Sequence, residues 1–78
     1  MTRIIRQNTP LTAEERQQYA PLVKEYDDLF GLNMRTRRWG IASKHYPTFM
    51  NAGHGSTFEG FLEAKREVIA DVRRLIWA

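Results

Sequence analysis

Arg35, Arg37, Arg38 and Lys44 stand among Trp39, His45 and Tyr46 in a stretch that has no carboxylate between Asp28 and Glu59. Fixed cations interleaved with flat rings suit anionic or aromatic partners: guanidinium groups pair with phosphates and carboxylates, and Trp39 or Tyr46 can stack on a base. Arg, Trp and Tyr are also the residue types that dominate the energetics of protein interfaces, so the same segment suits a protein partner equally well. Four cations are few for a duplex-DNA face, where basic patches are denser. Protein–protein contact through residues 35–46 is therefore the leading expectation, and a nucleic-acid or nucleotide binding module using the same segment is the alternative.

A second candidate is the turn Gly53-His54-Gly55-Ser56, where glycine-flanked N–H groups just ahead of a helix start could hold an anion. His45 and His54 lie nine residues apart with no carboxylate between them. That is not a ligand spacing, and both are expected to be surface or hydrogen-bonded histidines, with no metal site. Lys65 falls within the apolar face of the last helix. It is either a desolvated amine with a lowered pKa, able to grip a buried anion, or a snorkelling stem whose ammonium pairs with Glu25, Asp27 or Asp28. The acids of the first helix favour the ion pair. No paired carboxylates, no nucleophile with a base and no phosphate loop are visible, so neither catalysis nor a cofactor is expected.

Charge is segregated along the chain. Residues 12–31 sum to −3, residues 32–55 to +4, and the remainder supplies +2, for a net +3 over 78 residues. A chain this short buries only about 60% of the surface its unfolded form exposes. Its core contributes no more than about 3–5 kcal/mol without reinforcement. With no cysteine, disulfides and thiolate metal sites are out, and a homo-oligomer is the expected reinforcement. The missing cysteines fit a reducing compartment, no apolar run approaches the roughly 20 residues of a membrane span, and Met1 to Pro10 lacks an apolar signal region. A cytoplasmic location away from the membrane is the expectation.

These residues must be positioned by helices. Residues 1–11, with Asn8, Thr9 and Pro10, read as an N-terminal arm, and 12–78 as one small helical domain. Thr12 and Glu15 have capping-box spacing, which starts helix 1 at about Ala13. Pro21 disturbs it, by a kink or a split. Leu22, Val23, Tyr26, Leu29 and Phe30 then recur at helical period, and Gly31 reads as the stop. Asn33 can cap a segment over 34–46 that Pro47 ends. If helical, this segment puts Met34, Ile41 and His45 on one face and stacks Trp39 and Tyr46, seven apart, on another; if extended, it buries Trp39 with Ile41. Pro47 to Gly55 reads as a loop with Phe49 and Met50 tucked beneath it. A second capping box, Ser56 with Glu59, opens helix 3 at about Thr57. Phe58, Phe61, Leu62, Val68, Ile69, Val72, Leu75 and Ile76 fall on an arc of about 140°. Trp77 points off that face and, if exposed, makes an association patch.

The expected architecture is all-α: a helical hairpin or three-helix arrangement, with helix 1 (about 13–30) antiparallel to helix 3 (about 57–77) and the basic segment as crossover. In its compactness and absence of cysteine and motifs the chain resembles the small inhibitors that phages and other mobile elements encode against host enzymes or CRISPR defence. That resemblance is one of style, carried by no motif. It implies a non-enzymatic inhibitor acting on a host or defence protein.

Overall fold

The computed structural model describes residues 3–78. Three helices form the body: α1 (Ala13–Arg35), α2 (Ile41–Asn51) and α3 (Phe58–Trp77). A two-residue strand, β1 (Ile4–Ile5), pairs antiparallel with β2 (Ser56–Thr57), Ile4 opposite Thr57 and Ile5 opposite Ser56. The all-α, three-helix reading thus describes the chain, with α1 and α3 packed together.

The sense of that packing differs from the hairpin expectation. Tyr19, early in α1, meets Phe61, early in α3, with ring centroids 5.1 Å apart. Trp39, just beyond the end of α1, shares a groove with Leu75, near the end of α3. The two long helices therefore run parallel. The reason is α2: because the crossover is a helix, the chain reverses twice between α1 and α3 rather than once.

The N-terminus of α1 forms as its sequence dictates. Thr12 Oγ1 accepts from the Glu15 N–H at 3.2 Å and Glu15 Oε1 accepts from the Thr12 N–H at 2.8 Å. Pro21 lies inside the unbroken helix. Removing one backbone bond there costs about 3 kcal/mol. The buried face of Leu22, Tyr26 and Leu29 offsets this, since each such side chain contributes about 1.5–3 kcal/mol.

Three boundaries depart from expectation. Gly31 does not stop α1, which continues through Leu32 and the buried Asn33 to Arg35. It ends instead in a Schellman motif: the Arg37 N–H donates to the Met34 carbonyl and the Arg38 N–H to the Asn33 carbonyl. Arg37 occupies the left-handed position at φ 59° that usually belongs to glycine. Pro47 does not end α2 but lies within it, exposed, where the freed carbonyl can be hydrated. The expected loop is accordingly shortened at its start: Phe49 is a buried helical residue, while Met50 is exposed rather than tucked in. At α3 the N-cap is Thr57, whose Oγ1 accepts from the Gly60 N–H at 3.3 Å, and the Ser56–Glu59 box does not form. Ser56 is instead engaged in the ladder with Ile5.

The core is one cluster contributed by every element, with Tyr26, Phe49, Ile5, Leu29, Ile76 and Val72 essentially sealed. The described part of the N-terminal arm belongs to it through Ile5. Arg3 holds this segment down by pairing with Glu15 at 2.5 Å and donating to the Pro10 carbonyl at 2.7 Å. Among the described residues, no helix is long and apolar enough to cross a membrane.

Candidate partner-binding surface

The turn between α1 and α2 is built by one side chain. Asn33, 5% exposed, donates through Nδ2 to the Arg38 carbonyl and accepts through Oδ1 from the Ala42 N–H at 2.9 Å. The residue before α2, Gly40, has no side chain to cap it. Asn33 therefore acts as the cap of α2, as its type suggests, but from inside α1. Tyr26 adds a second tie, its hydroxyl donating to the Ala42 carbonyl at 2.7 Å in the core.

This clamp holds Arg37, Arg38 and Trp39 outward on a short rigid turn. Trp39 is 73% exposed, so it is neither a core residue nor the buried side of a strand. Arg35, Arg37, Arg38 and Lys44 are exposed, and among the described residues none of the four makes an ion pair. In particular, they are not neutralised by the acids of α1 in their own chain.

The remaining members of the predicted segment divide. His45 is half-buried, Nδ1 lying 2.9 Å from the Ile41 carbonyl. It lines a shallow groove of about 420 Å³ with Trp39, Lys44 and Leu75. Tyr46, 41% exposed, packs one side of its ring against other aromatics. Its ring lies 5.7 Å from Tyr26, 5.9 Å from Phe30 and 6.5 Å from Phe49, completing an aromatic cluster. The two rings thus do not stack together, because Trp39 precedes α2 and only Tyr46 lies on it.

Other residues join the surface from α3. Leu75 is 43% and Trp77 65% exposed. A neighbouring groove runs from His45 past Leu75 to Arg74 and Ala78, and a further one holds Arg73, Arg74 and Trp77. Shared lining residues make these one continuous face. Trp77 is legible in the sequence as an off-face aromatic. Arg73, Arg74 and Leu75 are not, since their relevance depends on the parallel arrangement that brings the end of α3 beside the α1–α2 turn. Arg74 pairs with Asp71.

The turn Gly53-His54-Gly55-Ser56 lies at the other end of the helices. Its His54, Gly55 and Ser56 N–H groups donate to the carbonyls of Asn51, Ile5 and Gly53 respectively, so these donors hold the fold. The His54 ring stacks on Phe61.

Lys65 departs furthest from expectation. It is 1% exposed and, among the described residues, has no ion pair with Glu25, Asp27, Asp28 or any other acid. Its ammonium donates to the carbonyl of Phe49 and, at 2.9 Å, to that of Met50. These belong to the last turn of α2, where carbonyls lack helical partners and cations are favoured. The rings of Phe61, Phe49 and Tyr19 surround it at 4.8, 4.9 and 5.6 Å. Burial pushes the amine down to about 8. The three acids of α1 are exposed on its outer side and α2 supplies the acceptors instead. No protein-family model, no curated protein and no solved structure matches this chain.

Proposed function

We propose that this chain is a small non-enzymatic binding protein that docks its Trp39 end on an acidic surface of a protein partner. The observation that carries this reading is Trp39 itself: a tryptophan 73% exposed on a clamped turn, with exposed Arg37 and Arg38 immediately before it and Lys44 in the groove beside it. Holding such a ring in water forfeits about 1.5–3 kcal/mol of burial, a loss that binding would recover. Leu75 and Trp77 extend the apolar area, and Lys44 and Arg73 extend the cationic rim. Such a protein acts by occupying its partner's surface, as the small inhibitors that it resembles in style do.

The nucleic-acid alternative is the weaker of the two because Tyr46 is engaged with Tyr26, Phe30 and Phe49. Trp39 is the most exposed ring of the segment at 73%, against 41% for Tyr46, whereas single-strand binding relies on successive stacks along a cationic track. A second copy of the chain is a competing occupant, since α1 exposes Glu14, Glu25, Asp27 and Asp28.

Replacing Arg35, Arg38 and Trp39 together by Ala should abolish capture of the partner from nuclease-treated lysate while leaving the helical circular dichroism intact. Loss of the helical signal would place these residues in the core and reject the surface role. Capture abolished by nuclease, together with oligonucleotide binding that strengthens steeply at low salt, would favour the nucleic-acid reading. Sedimentation equilibrium at micromolar concentrations tests the second copy: an oligomer that dissociates in the triple variant would make the chain its own partner.

A further inference from the structure

A cleft of about 220 Å³ opens under the N-terminal segment, at the opposite end of the helices from Trp39. Ile5, Leu11, Tyr19 and Phe61 form its apolar wall, Arg6 and Lys65 bring a guanidinium and an amine, His54 an imidazole, and among the described residues no carboxylate lines it. Lys65 is the decisive member. Its hydrogen bonds go to two carbonyls and its neighbours are aromatic rings, which solvate the ammonium without neutralising it. A buried charge with no opposite charge is costly, and pairing is the usual remedy. Among the described residues none is supplied, and the adjoining cleft adds a further cation, Arg6.

We propose that this cleft binds a small organic carboxylate with a flat apolar body, the carboxylate supplying the counter-charge that Lys65 lacks and the body lying against Tyr19 and Phe61. Size allows the class, since a cavity of about 150 Å³ accepts benzene and this cleft is about 220 Å³. The apolar wall argues against a bare inorganic anion, which would leave the half-exposed Leu11 and Tyr19 uncovered. Arg6, exposed at the rim, is the second anchor, suited to bidentate carboxylate contact.

The test uses the full chain, benzoate as probe, and benzamide and inorganic phosphate as controls, followed by two-dimensional NMR. Benzoate should shift the resonances of Ile5, Tyr19, His54 and Phe61 saturably at millimolar concentration, with benzamide and phosphate markedly weaker. Arg6→Ala, a change at an exposed residue, should weaken benzoate by about tenfold with the free-state spectrum otherwise preserved. Lys65→Met, if folded, should remove binding. Absence of saturable shifts, equal binding of benzamide, phosphate matching benzoate, or shifts confined to the Trp39 end would each overturn the proposal.

Discussion

Lys65 and Tyr26 set opposing pH dependences through their burial. Desolvation pushes Lys65 down from the ordinary 10.5 to about 8, and desolvation followed by the Tyr46 charge pushes Tyr26 up from 10.0 to about 12. From pH 8 to 10.5 the unfolded chain holds a Lys65 proton that the folded chain has released, so stability rises with pH. Above pH 10 the unfolded chain loses the Tyr26 proton that the fold retains, and stability falls. The groups facing Lys65 are the rings of Tyr19, Phe49 and Phe61, and among the described residues no carboxylate lines the adjoining cleft. Urea denaturation should therefore show stability increasing by roughly 2–3 kcal/mol between pH 8 and 10, and Lys65→Met should flatten that rise. A flat wild-type profile would reject the uncompensated burial. Arg37 offers a second test at this scale. A non-glycine residue in the left-handed region costs about 1–2 kcal/mol, and asparagine tolerates it better, so Arg37→Asn should stabilise the fold by about 0.5–1 kcal/mol. If Arg37 contacts the partner, the same variant binds more weakly, which a thermal melt and a binding isotherm on one sample would separate.

At the scale of elements, the connections hold the arrangement more tightly than their length suggests. The α1–α2 turn depends on Asn33, whose loss would remove the cap of α2 and leave the buried Ala42 N–H unpaired. Asn33→Ala should cost about 2–3 kcal/mol, measurable by chemical denaturation. A value below about 0.5 kcal/mol would mean that water replaces the cap. The α2–α3 connection depends on Gly53, at φ 82°, where an added Cβ would lie 2.5 Å from the Phe61 Cα and 2.9 Å from the Phe61 carbonyl oxygen. Backbone cannot yield as a flexible side chain does, so Gly53→Ala should destabilise by more than about 2 kcal/mol. Gly55→Ala, equally left-handed but facing open space, should cost less, and the difference between the two isolates the steric contact from the strain. The caps at these boundaries were unequally legible. Thr12 with Glu15 is a local pairing, visible in spacing and formed as such. Asn33 acts across nine residues, and the cap of α3 falls on Thr57 where the β1–β2 ladder hands the chain over to the helix; both depend on neighbours distant in sequence.

For the whole molecule, the arrangement is a body 45 × 20 × 17 Å with different chemistry at its two ends: a clamped basic and aromatic turn at one, a cation-lined cleft at the other. Periodicity determined that the chain is helical and which face of α3 is apolar, capping spacing where α1 begins, and residue types alone that Arg35, Arg37 and Arg38 lie in an acid-free stretch, because all of these are local. It could not determine how far α1 and α2 extend through Gly31 and Pro47, since burial of Leu32, Asn33 and Phe49 outweighs a helix-breaking preference of about 1–3 kcal/mol only once a neighbour exists to bury them against. The direction of α3 relative to α1, and with it the joining of Trp39 to Leu75 and Trp77, follows from the number of chain reversals and not from any residue type. The fate of Lys65 was likewise a tertiary decision. The sequence places a lysine on an apolar face and offers acids on another helix, but its partners are main-chain carbonyls at a helix end, which every residue carries and no side-chain pattern announces.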